Sequence, residues 1–83
     1  MDVVLTAQAK DEFDELPRLI KTRVLTLFAR LRDWPNVSGA KPPRGNHAGQ
    51  YRMRTGDFRV QFSVSGHRVV ISRIGHRDGF YET

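Results

Sequence analysis

Apolar residues recur along this chain with two periods, and the change from one to the other divides it into a helical first half and a stranded second half. Val3-Val4-Leu5 is a short apolar run ending at Thr6, a good N-cap. Ala9, Phe13 and Leu16 then recur at helical spacing while Asp11, Glu12, Asp14 and Glu15 take the water-facing positions. This predicts a strand followed by a helix. Leu16-Pro17 breaks that helix, and Pro17 fits the first turn of a second one, whose apolar positions Ile20, Val24, Leu27, Phe28 and Leu31 keep the 3.6 period up to about Asp33. The two helices are expected to form a hairpin. Residues 34–47 contain Pro35, Gly39, Pro42, Pro43 and Gly45 and predict a long irregular connection with a turn at Arg44-Gly45, the kind of loop that is often functional.

From Gly49 onward the period is two. Strands are expected over 50–55, 57–64 and 67–74, separated by Thr55-Gly56 and Ser65-Gly66, as a three-strand antiparallel meander. Val69-Val70-Ile71 is apolar on both faces, which predicts an interior position for the last strand, beside the N-terminal one. The predicted fold class is therefore α+β: an N-terminal strand and a two-helix hairpin packed on one face of an antiparallel sheet of about four strands, in a single domain over residues 1–83.

The segment Tyr51 to Val60 sends large apolar residues to one side and arginines to the other, which folding alone does not require. A two-residue turn at Thr55-Gly56 pairs Met53 with Phe58, Tyr51 with Val60 and Arg52 with Arg59. Like charges directly opposite on a sheet are destabilising by roughly a few tenths to 1 kcal/mol, so their presence implies an anionic ligand, with phosphate the obvious candidate. The outward face is expected to carry Arg52, Arg54, Arg59 and Gln61.

Charge strengthens this reading. The net charge is +5, but residues 1–33 hold six basic and six acidic side chains, whereas residues 34–83 hold eight basic against three acidic. All the excess lies in the second half, and its arginines suit bidentate phosphate contacts. A chain of 83 residues sits near the size at which one core gives only modest stability, so a bound partner is expected to matter. There are no cysteines, which excludes disulfides and thiolate metal sites. The N-terminus has no signal-peptide pattern and no apolar run approaches the roughly 18 residues of a membrane span, so a cytoplasmic location without membrane contact is expected.

The pattern Tyr51-Arg52-Met53-Arg54-x-Gly56-Asp57-Phe58-Arg59-Val60, followed by Val69-Val70-Ile71-Ser72-Arg73-Ile74-Gly75-His76-Arg77-Asp78-Gly79-Phe80-Tyr81, resembles the RelE/ParE toxin superfamily of toxin–antitoxin systems. Leu5-Thr6-x-x-Ala9 and Leu16-Pro17 are similar to the same family, so the likeness spans nearly the whole chain. The resemblance implies a toxin neutralised by a cognate antitoxin, with oligomers formed only through that antitoxin. RelE-type members are implied to cleave messenger RNA in the ribosomal A site, and ParE-type members to poison DNA gyrase. For the RNase branch it implies a site at Arg52 and Arg54, Arg59, Arg77 and Tyr81, with Arg44 as a further basic residue before the second strand. Every one of these positions has suitable chemistry, which favours the RNase branch. A gyrase poison and an inactive RNA-binding relic are the alternatives.

Attack of a ribose 2′-hydroxyl on the adjacent phosphorus needs phosphate charge stabilised and two protons moved, with no cofactor and no metal. Arg52, Arg59 and Arg77 suit the first task, and Tyr81 suits stacking on a base. Where relatives often have lysines on the second strand this chain has arginines, which are poor general bases. His76 is a candidate acid or base, because histidine exchanges protons near neutrality. Plainer readings stand beside these. Arg54 fits an ion pair with Asp57, Arg77 fits one with Asp78, and Tyr81 fits an apolar anchor. His47 and His67 are expected in loops and, with His76, lack metal-ligand spacing. Strict alternation puts Arg73 on the core face, bridging to a helix carboxylate.

Overall fold

The computed structural model describes residues 1–39 and 50–77. The elements are β1 (Asp2–Leu5), α1 (Ala7–Asp14), α2 (Arg18–Leu31), β2 (Gln50–Thr55), β3 (Phe58–Ser65) and β4 (Arg68–His76). The Thr6 hydroxyl caps α1 by accepting the Ala9 N–H at 3.1 Å, as its position before the apolar period predicts. Pro17 lies one step outside the first turn of α2, at the N-cap, where its carbonyl accepts the Lys21 N–H at 2.9 Å. Its missing N–H costs nothing there.

The strands are ordered β1-β4-β3-β2. The meander is antiparallel and β4 is interior, as the two-sided apolar run predicts. The sheet as a whole is mixed, however, not antiparallel, because β1 pairs with β4 in parallel. Two reversals within the meander leave β2 and β4 running in the direction of β1, and the helical hairpin supplies the crossover connection that parallel strands require. The helices cover one face. Val24, Leu27, Phe28 and Leu31 of α2 and Ala9 of α1 join Met53, Val60, Phe62, Val69, Ile71 and Ile74 in the buried core. Just past α2, Trp34 packs edge-on to Phe62 at 5.5 Å and beside Tyr51 at 4.7 Å, closing the end of that core.

Two register details differ from expectation. The first hairpin turns at Gly56-Asp57, so Thr55 pairs with Phe58, Arg54 with Arg59, Met53 with Val60, Arg52 with Gln61 and Tyr51 with Phe62. The second turns at Gly66-His67. Gly56 and Gly66 have φ of 60° and 58°, and no other residue type among those described has positive φ. Glycine as the first of two loop residues is the requirement of a II′ turn, whose twist matches the strands, and this sets the register one residue away from a turn with glycine second. The second difference is a bulge in β4. Gln61 pairs with Arg73 but Phe62 pairs with Ile71, leaving Ser72 extra. Val69, Ile71 and Ile74 are therefore the buried residues, and Arg73 leaves the core face to which strict alternation assigns it. No helix among the described residues is long and apolar enough to cross a membrane.

Candidate nucleic-acid interface

The face of the sheet opposite the helices is built by register alone. Arg54, Arg59 and Gly75 form one row across β2, β3 and β4, and Arg52, Gln61 and Arg73 form the next. Side chains two apart on a strand share a face, so Arg52 and Arg54 stand together on β2 and Arg59 and Gln61 on β3. This is the face expected to hold all four. The facing arginine pair, however, is Arg54 with Arg59, whereas Arg52 faces Gln61. The rows nearer the other end are uncharged, as at Ser63 and Val70, or balanced, as at Asp2 and Arg68. The cations thus gather at the end of the sheet that carries the Gly56-Asp57 turn.

That turn organises further arginines. An Arg59 guanidinium nitrogen donates to the carbonyls of Gly56 and Phe58, each at 3.4 Å, which keeps the head group close to the loop. The Arg77 backbone N–H donates to the Asp57 carbonyl at 2.8 Å, and the Arg77 side chain reaches the Asp57 carboxylate at 3.9 Å. Asp57 therefore pairs with Arg77 and not with Arg54, and Asp78 lies outside the described residues. Both side chains are more than half exposed, so the ion pair is a weak restraint and the backbone hydrogen bond is the firmer one. From the helical side, a guanidinium nitrogen of Arg23 lies 3.5 Å from where a Cβ on Gly56 would stand. Sequence reasoning passed over Arg23. Its only signal is its place on the polar flank of α2, one residue before the buried Val24.

His76 pairs with Phe58, and the two rings meet edge to face with centroids 5.3 Å apart. It therefore stands one position past Gly75 and on the face opposite Arg59, at the same end of the sheet. At the outer edge of β4, beyond the end of β1, Glu12 of α1 accepts the Ile74 N–H at 2.9 Å and the Arg73 Nε–H at 3.4 Å. Arg73 thus bridges to a helix carboxylate as expected, but from the opposite face. Glu12 was expected to be only a water-facing position of α1. Arg44, His47 and Tyr81 lie outside the described residues. Among the described residues no three His, Asp or Glu side chains are grouped as metal ligands.

The family model described as the ParE toxin of type II toxin–antitoxin system, parDE, matches residues 3–79. Among solved structures, the chain is 30% identical to a chain of the toxin–antitoxin complex RelBE2 from Mycobacterium tuberculosis, with 92% of this chain and 90% of that one covered and a TM-score of 0.78. The RelB–RelE antitoxin–toxin complex from Methanococcus jannaschii matches at 20% identity over 94% of both chains, also with a TM-score of 0.78. The isolated E. coli RelE toxin matches at 15% identity over 90% of this chain and 82% of that one, again at 0.78; these last two likenesses are of fold. A search of the curated proteins finds no match. With nearly its whole length matched by the family model, the chain belongs to the ParE toxin family of type II toxin–antitoxin systems, within the RelE/ParE superfamily.

Proposed function

We propose that this toxin is an endoribonuclease that cleaves messenger RNA, at the ribosome, by attack of a ribose 2′-hydroxyl on the neighbouring phosphate. One observation carries the reading: Arg52, Arg54, Arg59 and Gln61 share the sheet face that the helices leave uncovered, with Arg54 directly across from Arg59. Two cations held face to face are stabilised when an anion lies over both. A phosphate seated there meets planar N–H donors, whose hydrogen bonds strengthen as charge builds on the phosphoryl oxygens. Arg77, held to the Asp57 turn, supplies charge from the end of the same sheet. Proton transfer falls to His76, and because His76 faces away from Arg59 the RNA must wrap the turn end of the sheet for both to reach one phosphodiester. Tyr81 and Arg44 are assigned the base-stacking and RNA-binding roles that the resemblance implies. The partner is a cognate antitoxin, as in the complexes of the similar RelE proteins.

A second reading rests on the match to the ParE toxin model: a non-catalytic poison of DNA gyrase. Induction of the toxin with RNA ends mapped across the transcriptome separates the two. New 5′ ends within messages support cleavage, whereas intact messages with gyrase-dependent DNA breaks support the poison.

A further inference from the structure

Arg73 owes its position to a departure from regular strand geometry. Regular alternation after Val69 and Ile71 buries residue 73, yet Ile74 is the buried residue and the Arg73 side chain is about one-third exposed, at 36%. The bulge at Ser72 makes this exchange, and it brings Arg73 to the register position of Gln61, in line with Arg52. The Ser72 hydroxyl donates to the Gln61 carbonyl at 3.2 Å, so the bulge is itself tied across the strands at this row. Bulges that re-aim a side chain recur beside functional sites.

The contacts of the side chain point the same way. Glu12 engages Nε of Arg73 with one oxygen and the Ile74 N–H with the other. The carboxylate is thereby fixed between α1 and the strand edge, and it holds the plane of a guanidinium whose five N–H donors are arranged in a rigid fork. Arg73 thus places a guanidinium, oriented by Glu12, on the sheet face that carries Arg52, Arg54 and Arg59.

We infer that Arg73 is a further phosphate-contacting residue of the RNA interface: it extends the Arg52–Gln61 row to the edge of β4 and engages the backbone one or more nucleotides from the phosphate over Arg54 and Arg59. This rests on the ribonuclease reading above. Glu12 is its positioning residue, setting the guanidinium plane before RNA arrives.

The test is the salt dependence of binding to a single-stranded RNA oligonucleotide carrying 2′-O-methyl groups, which block cleavage. Loss of one phosphate contact on a single strand lowers the slope of log K against log salt by about 0.7. Arg73→Gln is expected to lower it by that amount, as Arg59→Gln does. An Arg73→Gln slope equal to wild type, with Arg59→Gln lowered, overturns the inference and leaves the ribonuclease reading standing. Wild-type protein that does not bind the RNA at all overturns both. Should Arg73→Gln fail to fold because Glu12 loses its counterion, the pair Glu12→Gln with Arg73→Gln keeps a neutral acceptor for the Ile74 N–H, and it is expected to show the same reduced slope.

Discussion

Arg54 and Arg59, directly opposed on β2 and β3, repel in the unliganded protein by an amount on the order of a few tenths to 1 kcal/mol. Arg54→Ala is therefore expected to raise the thermal midpoint slightly. Arg59→Ala is expected to abolish toxicity without unfolding the protein; growth arrest and thermal midpoint measured together check both claims. A toxic Arg59→Ala variant, or one that melts well below wild type, would remove Arg59 from the site. Gly56 behaves differently, since its φ of 60° is the reason the turn closes where it does. Gly56→Ala is expected to cost about 1 kcal/mol in chemical denaturation, the penalty of a Cβ in left-handed backbone.

The informative element is β4. It pairs with β1 on one side and β3 on the other, and past Leu5 its open edge is covered by the Glu12 side chain instead of a strand. Removing that acceptor leaves the Ile74 N–H without its partner beside a buried core. Glu12→Ala is accordingly expected to destabilise by about 1–3 kcal/mol, more than an exposed helix position would. Amide exchange offers a direct measurement: protection at Ile74 should fall in this variant while protection at Val69, within the β1 pairing, persists. Equal protection at both sites in the variant counts against the capping role. Deeper in the same layer, Phe62 is fully buried against both Trp34 and Tyr51, and Phe62→Ala is expected to cost about 3–5 kcal/mol, enough to unfold a domain of this size.

At the scale of the whole molecule, the helices pack on one face of the sheet, and Arg52, Arg54 and Arg59 stand on the other. A cognate antitoxin segment that covers basic surface should copurify with this chain and release it as salt rises. A chain expressed alone without toxicity and without such a partner argues for an inactive relic. If RNA is cleaved by 2′-hydroxyl attack, the products are a 2′,3′-cyclic phosphate or 3′-phosphate upstream and a 5′-hydroxyl downstream. A 5′-phosphate on the downstream product refutes that chemistry. His76→Gln is expected to slow cleavage by about 100-fold, the scale of general acid–base catalysis. Arg77→Ala, which removes charge at the same end of the sheet, should lower the rate as well.

Periodicity alone determined the order of elements, the interior place of β4, the cap at Thr6 and the face shared by Arg52, Arg54, Arg59 and Gln61, because each follows from spacing within one segment. The RelE/ParE likeness was carried by local runs of residues, and the match over residues 3–79 bears it out. Three things needed tertiary structure. The hairpin register depends on which turn suits the twist of paired strands, so the arginine opposite Arg59 became visible only with the pairing of β2 and β3. The parallel pairing of β1 with β4 depends on how the helical crossover returns the chain to the sheet. The bulge that turns Arg73 away from the core is set by packing, since Ile74 has to be buried against residues distant in sequence, and no alternation pattern within β4 records that demand.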